Sequence, residues 1–407
     1  MFEAAELGQK VSKAVFEQTA QTLRTELLEV QRELRKTSFP VIVVLAGVDK
    51  AGKGEVVNIL TQWMDPRWIA VHAYTQPSEE VRARPEFWLF WRDLPPQGKI
   101  GINLSSCYSR PVLQRVHGAI DRAQLDVALD RIVDFEHALA NDGALIRKFW
   151  MHLDKPSQKK RFRKLEKDPL QAWRVTQTDW QHLELYDRFV EAAERTIMRT
   201  STGQAPWKIV EGANLRYAYL TVGTLLRDAI RKHLELDALQ KEMNAAAKQH
   251  PPAKRSKSKP SAAAKKAAKG KVPELPRGTI LEALEMTRAL PKPDYEVALK
   301  QQQGRLNLLW RRAQQDGINT ILLFEGWDAA GKGTLINRLI LPPDPRGFCV
   351  HSTLPPTEEE ALRPFLWRHW IQTPAAGRIA VFDRSWYQRV LNDRVDGSVK
   401  PRDLRQA

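Results

Sequence analysis

Read for its alternation of apolar and polar positions, the chain opens on a helix. Residues 3–36 carry Leu23, Leu27, Val30 and Leu34 at alternating four- and three-residue spacing, the stripe of an amphipathic helix. Pro40 then precedes Val41-Ile-Val-Val-Leu45, an unbroken apolar run of strand length that predicts a buried strand. Downstream, residues 126–139 read as an amphipathic helix, 144–150 as a strand, 207–210 as a last strand and 217–236 as a closing helix. A second series follows, with a helix over 295–313, a strand over 320–324, an amphipathic segment over 335–339 and another apolar run over 378–382. Strands that alternate with helices predict an α/β fold built on parallel sheets.

Two glycine-rich turns interrupt this pattern at corresponding places. The strand at 320–324 runs into Gly326-Trp-Asp328-Ala-Ala-Gly331-Lys332-Gly333-Thr334, and the one at 41–45 into Gly47-Val-Asp49-Lys-Ala-Gly52-Lys53-Gly54. In a G-x-x-x-x-G-K turn the glycines let backbone N–H groups point at phosphate oxygens, the lysine adds a mobile cation, and the helix that follows adds its dipole. Gly326, Gly331, Lys332 and Gly333, with Gly47, Gly52, Lys53 and Gly54, are therefore candidate phosphate-binding residues. The usual loop has a metal-binding Ser or Thr after the lysine, whereas here Gly333 and Gly54 follow it. Asp328 is expected to take over that role, with Thr334 as a weaker candidate. The run at 378–382 ends in Asp383-Arg384, which places an acid at the C-terminal end of a neighbouring strand, where it would hold Mg²⁺.

The correspondence extends well beyond the loops. Residues 41–110 align without a gap on 320–389, at an offset of 279, with 27 identities in 70 positions. Asp65-Pro-Arg67 matches Asp344-Pro-Arg346, and Arg84-Pro85 matches Arg363-Pro364. Two homologous domains follow from this repeat. The copies differ where chemistry would be done, because Leu104-Ser105 stands in the first at the position of Asp383-Arg384. A leucine cannot hold a metal, so the first copy is expected to be catalytically silent. Only this copy continues into a basic helical segment, Lys159-Lys-Arg161-Phe-Arg-Lys164, expected to close over phosphates as a lid. The second stops at Ala407, more than a hundred residues short of the first copy's extent, and so reads as a half domain. An open sheet edge with exposed apolar surface is expected of it, and with that weak stability or self-association of residues 278–407 expressed alone.

Composition narrows the setting. The chain has 407 residues, 43% of them hydrophobic, which allows two sizeable cores. It has no apolar run of membrane length, and its first residues lack the basic-then-apolar pattern of a secretion signal, so a cytoplasmic protein is expected. Cys107 and Cys349 are the two cysteines, too few and too separate for a disulfide framework or a CxxC metal site. Of the net charge of +16, nine Lys or Arg fall within residues 248–271, which hold no acid. The surrounding stretch, 241–277, is rich in Lys, Ala, Pro and Ser and reads as a disordered linker between a first domain at 1–240 and a second at 278–407. Its charge either keeps it solvated or tethers polyanions. Neither a specific nucleic-acid partner nor a membrane is indicated, and a homo-oligomer is compatible with the sequence.

Phe324-Glu-Gly-Trp-Asp-Ala-Ala-Gly-Lys-Gly333, Asp344-Pro-Arg346 and Phe382-Asp-Arg-Ser-Trp-Tyr387 together resemble the polyphosphate kinases of the second type. In the first copy Lys148-Phe-Trp150, Asp168-Pro-Leu170 and Ala205-Pro-Trp207 resemble that family's lid and closing strand. The tandem arrangement is similar to the family's two-domain, AMP-phosphorylating form. The resemblance implies two P-loop kinase-like α/β domains, each a parallel sheet flanked by helices, the second incomplete. It also implies direct transfer of a terminal phosphate from inorganic polyphosphate to AMP or ADP. Asp328 and Asp383 would bind Mg²⁺, Lys332 would contact the transferring phosphate, and Arg384 would stabilise its charge. Leu104, Ser105 and Gln114 depart from the active pattern in the first copy, and Asp393 stands where the family usually has Glu. Two other readings share these features. An ATP-using nucleoside or nucleotide kinase would fail to turn over with polyphosphate as sole donor, and a non-catalytic polyphosphate-binding protein would bind the polymer without Mg²⁺-dependent transfer.

Overall fold

The computed structural model of the chain describes residues 1–74, 77–249, 289–341, 347–389 and 391, the side chains of 244–249 excepted. Asp344, Pro345, Arg346, Asp393 and the linker beyond Gln249 lie outside the described residues.

The first helix holds the whole stripe from Leu23 to Leu34 but is shorter than the expected span of 3–36. Ser12 caps α1 (Lys13–Leu34) by accepting from Val15 N, and residues 3–5 form a separate 3-10 turn. β1 (Val41–Gly47) then leads through the first loop into α2 (Lys53–Trp63), followed by β2 (Ile69–Ala73), the short helices α3 (Glu79–Arg82) and α4 (Trp88–Arg92), and β3 (Ile100–Leu104). After β3 come α5 (Ser109–Val116) and α6 (Arg122–Asn141), whose start is fixed by an Asp121/Gln124 capping box. β4 (Leu145–His152), α7 (Lys155–Glu166), α8 (Gln177–Glu184), α9 (Tyr186–Thr200), β5 (Trp207–Glu211) and α10 (Leu215–Gln249) complete the series. α10 carries on past residue 240, so the segment expected to be linker from 241 begins as helix.

These strands form one parallel sheet in the order β2-β3-β1-β4-β5. β1 is central and buried on both faces, which is why it reads as a continuous apolar run rather than an alternating one. Val41, Val43 and Leu45 face a core shared with Leu23, Leu27 and Leu34 of α1 and Val222 and Leu226 of α10. Val44 faces a second core, with Leu129 of α6 and Trp150 of β4. A fully buried lysine, Lys148, ties that side together. Its ammonium donates to Glu136 at 2.6 Å, the Thr200 carbonyl at 2.8 Å and the Tyr108 hydroxyl at 2.9 Å, so all three of its protons are placed.

The second copy repeats the first half of this plan. After α11 (Lys292–Gln315), β6 (Thr320–Phe324), α12 (Lys332–Ile340), β7 (Phe348–Ser352), α13 (Glu358–Ala361), α14 (Trp367–Trp370) and β8 (Ile379–Asp383) build a parallel sheet ordered β6-β8-β7. This is the order β1-β3-β2 transposed, down to the register: Thr320 pairs with Ile379 as Val41 pairs with Ile100. β6, central in the plan of the first copy as β1, is an edge strand here among the described residues, and Ile321 is exposed where Ile42 is buried. No helix of the described residues is long and apolar enough to cross a membrane.

The copies meet about a local two-fold axis. Trp91 of α4 stacks on its own counterpart, Trp370 of α14, with ring centroids 5.4 Å apart and planes within 4°. Arg84 donates to Thr373 O while Arg363 donates to Leu94 O, and Gln97 N donates to Leu362 O while Ala376 N donates to Ala83 O. Each of these pairs is the other shifted by 279 residues, the signature of an isologous contact.

Candidate active site

Both loops leave their strands through glycines in a conformation that other residues rarely adopt. Gly47 (φ 127°) and Gly326 (φ 139°) open the turns, and Gly52 and Gly331 precede α2 and α12 in the left-handed region. The non-glycine exceptions also coincide, for Lys50 and Ala329, at φ 58° and 60°, are equivalent positions. At Gly47 a Cβ would sit 2.0 Å from Met151 O of β4. Lys332 Nζ donates to Gly326 O (2.9 Å) and Trp327 O (2.8 Å), and Lys53 Nζ to Gly47 O (2.6 Å) and Val48 O (3.1 Å). Each ammonium is thereby held against its own loop, at the start of a helix whose free N–H groups suit an anion.

In the second copy the parallel register sets Asp383 opposite Phe324, so the acid that ends β8 arrives beside the loop that β6 feeds. Arg384 follows at φ 65°, a strained conformation for a residue with a side chain. It is held there on three sides. Its N–H donates to Phe324 O at 3.0 Å, its carbonyl accepts from the Thr353 hydroxyl at 2.7 Å, and its guanidinium pairs with Asp328. Asp328, Lys332, Asp383 and Arg384, singled out in the sequence, are thus assembled on two adjoining turns. Thr334 lies on α12 and makes no side-chain hydrogen bond among the described residues. A group the motif reading passed over is Glu325, whose Oε1 accepts from both Ser385 N (2.8 Å) and Ser385 Oγ (2.6 Å), bracing the turn after Arg384. Its signal was an acid directly before Gly326 where the first copy has Ala46.

The donor set fits a divalent cation of the Mg²⁺ kind. Asp383 Oδ1 is buried with no hydrogen-bond partner, and no cluster of three or more His, Cys, Asp or Glu exists among the described residues. One or two carboxylates, with phosphate oxygens and water completing the shell, are what Mg²⁺ takes at phosphoryl-transfer sites. A pocket of about 560 Å³, lined by Thr353, Ser385, Trp386 and Arg389 together with Gln97 and Asp142 of the first copy, opens beyond the C-terminal ends of β7 and β8, and none of Asp328, Lys332, Asp383 or Arg384 lines it. Ligands bind at this end of the strands in open α/β sheets.

In the first copy Leu104 occupies the place of Asp383, yet Ser105 keeps the left-handed turn at φ 58°. Asp49 finds a different partner, the imidazole of His182 on α8, at 2.8 Å from Nδ1. The hydrogen bond to Asp49 raises the His182 pKa against the opposing effect of burial. Burial works to raise the Asp49 carboxyl, but His182, Lys53 and Lys50 together hold it below the usual carboxylate range. Burial lowers the Lys53 ammonium despite the pull of Asp49.

α7 lies across this loop, as a lid would. Gln158 Nε2 donates to Asp49 O (3.0 Å), Lys50 pairs with Asp179 of α8 (3.0 Å), and the Arg161 guanidinium donates to the carbonyls of Lys50 (2.9 Å), Gly212 (2.9 Å) and Ala213 (3.0 Å). Arg161, expected to meet phosphate, is instead engaged by backbone oxygens. Beside the loop remains a pocket of about 110 Å³ lined by Asp49, Lys53, Ser105, Trp150 and His182 among others. Gln114 lies on α5, away from these contacts.

The family described as polyphosphate kinase 2 matches residues 10–237 and again 289–407. A polyphosphate:AMP phosphotransferase of Pseudomonas aeruginosa is 42% identical over 408 residues, covering 100% of this chain and 78% of that protein. One of Pseudomonas syringae pv. tomato is 38% identical over the same coverage. A crystal structure described as a polyphosphate kinase 2 from Pseudomonas aeruginosa superposes with a TM-score of 0.79 at 38% identity, over 99% of this chain and 76% of that one.

Proposed function

Since the chain belongs to the polyphosphate kinase 2 family, we propose a division of labour between its copies, with the second as the catalytic unit. The reaction is transfer of phosphate from polyphosphate to a nucleotide, with AMP the acceptor. An AMP phosphate oxygen attacks the terminal phosphorus of the polymer in line as the bond to the bridging oxygen breaks, giving ADP and a chain one phosphate shorter. The observation that carries this assignment is the register of β6 on β8, which brings Asp383 and Arg384 to the loop of Asp328 and Lys332. The loop amides with Gly326, Gly331 and Gly333 cradle the donor phosphate, Lys332 contacts the group in flight, and Arg384 neutralises charge that develops on it. Asp328 and Asp383 would hold Mg²⁺, which supplies charge neutralisation between the phosphates. Gly47, Gly52, Lys53 and Gly54 retain the cradle and would bind phosphate in the first copy, without the acid that ends β8 in the second.

We also propose 1–240, 241–277 and 278–407 as first domain, linker and second domain, with the first boundary falling inside α10, and a cytoplasmic site of action. The test is incubation of the purified chain with polyphosphate and AMP as sole donor and acceptor, with ADP measured. Formation of ADP that a chelator abolishes and Mg²⁺ restores is expected. ADP formed only when ATP is added would favour an ordinary nucleotide kinase.

A further inference from the structure

The lid of the first copy carries more cations than its closure uses. In α7 the residues that meet the body of the domain are Gln158, Arg161, Phe162 and the half-buried Leu165. At about 100° per residue the opposite face of that helix collects Lys159, Lys160, Arg163, Lys164 and the adjoining Lys167, all exposed. None of the five forms an ion pair among the described residues, although Lys155 of the same helix does, with Asp187. Three like-charged pairs at i,i+4 spacing therefore stand uncompensated, 159 with 163, 163 with 167 and 160 with 164. Each works against the helix. A solvated face would gain from one intervening acid at such a spacing. Glu166 is turned to Trp180, whose indole donates to it at 2.8 Å, and Asp168, four residues after Lys164, accepts from Leu170 N and Gln171 Nε2 instead.

We propose that this outward face of α7 is a docking site for the non-reacting length of a polyphosphate chain whose end is engaged at the second copy. The five cations extend over roughly 12 Å of helix, at 1.5 Å per residue, and an unbroken row of positive charge complements a flexible polymer carrying one negative charge at each phosphate. The arrangement has no base-stacking aromatic between the cations and no carboxylate to discriminate among anions, so it reads charge density alone. Holding the polymer at a second place on the same molecule raises the effective concentration of its end at the catalytic loop without any new contact there. The inference rests on polyphosphate as donor. It predicts that the chain prefers long polymer, whereas the short donor triphosphate, unable to reach both places, is indifferent to α7.

The experiment uses the full chain with Lys160→Glu, Arg163→Glu and Lys164→Glu combined, and a second variant with Gln at the same positions. Reversal turns the 159/163 and 163/167 pairs into attractive ones while 160/164 stays like-charged, so the thermal midpoint is expected to hold or rise, and the Gln variant covers any failure to fold. Binding of long-chain polyphosphate at low ionic strength is expected to weaken about tenfold or more. The slope of log affinity against log salt should flatten by about 2, at roughly 0.7 for each cation removed. Transfer from inorganic triphosphate to AMP should be unchanged, which separates this outcome from a failure of the catalytic assignment. Unaltered affinity for long-chain polymer would overturn the proposal. So would an equal loss with triphosphate, which would place the cations at the reacting end, or a loss confined to duplex DNA, which would assign the face to nucleic acid.

Discussion

The loops at Gly47 and Gly326 follow one backbone path, but Val48 is 3% exposed and its counterpart Trp327 is 82% exposed. The side chain of Asp49 is 33% exposed against 85% for Asp328. One loop is roofed by α7 and α8 and stitched to them through Arg161, Gln158 and His182. The other presents its acid, its lysine and Arg384 to the surroundings. Left-handed turns recur at Ser105 and Arg384 whether or not an acid precedes them, so the backbone shape of a phosphate site outlasts its chemistry. Glycines and strand register set that shape, and a few side chains decide whether it acts.

The sharpest way to break this contrast is to exchange Asp383 for Asn, which keeps the volume and removes the charge. ADP formation should fall by about 10³-fold or more, the range a charged contributor reaches at such sites. Lys332→Ala should cost about 10²- to 10³-fold, while Lys53→Ala leaves the rate within a few fold of the starting value. A ranking in which Lys53 proves essential and Asp383 dispensable would move the chemistry to the first copy. In that copy the expected damage is to stability: Lys148→Met leaves the buried Glu136 without its cation and should cost about 3–5 kcal/mol in a denaturant titration. A midpoint unchanged by Lys148→Met would show that Glu136 takes up a proton at little cost. Glu325→Gln should lower kcat by roughly tenfold through loss of the brace on Ser385, a geometric fault of the kind that costs up to about 10²-fold. A change in KM alone would mean that Glu325 acts on binding instead.

The smallest effect expected is on pH. The folded pKa of His182 is raised, so its contribution to stability is full below the ordinary imidazole value of 6.5 and fades as pH climbs through the raised value. The Asp49 carboxyl is depressed, so its share is present above 3.8 and lost as pH falls through the lower folded value. The pair thus supports the first copy between these limits. Thermal melts should show a decline as pH climbs above 6.5 that His182→Gln abolishes; an identical slope in the variant would contradict it.

The strands, the two loops and the repeat could all be read from local pattern, because a buried parallel strand and a glycine turn each leave a short-range mark. The partners of the loop aspartates could not. His182 lies 133 residues from Asp49 and Arg384 lies 56 from Asp328, and no periodicity links them. The helical lid was visible in Lys159–Lys164, but which of its cations turns inward depends on the helix phase set by Phe162 and Gln158. Nor does a single copy reveal that Trp91 will stack on Trp370, since an isologous contact needs the other copy to be seen.

That contact has a consequence for how the two copies can diverge. A dimer of separate chains must hold together at cellular concentration, and every substitution in its interface appears twice. Here the partner is supplied by the same chain, so its effective concentration does not depend on how much protein the cell holds; a weak interface suffices and each side can drift singly. The drift is already visible, because the Trp88 indole donates to Ile371 O at 3.1 Å while the Trp367 indole has no partner among the described residues. Tethering thus relaxes the selection that would keep both halves alike, and leaves one copy at liberty to lose its acid while the other keeps a complete neighbour.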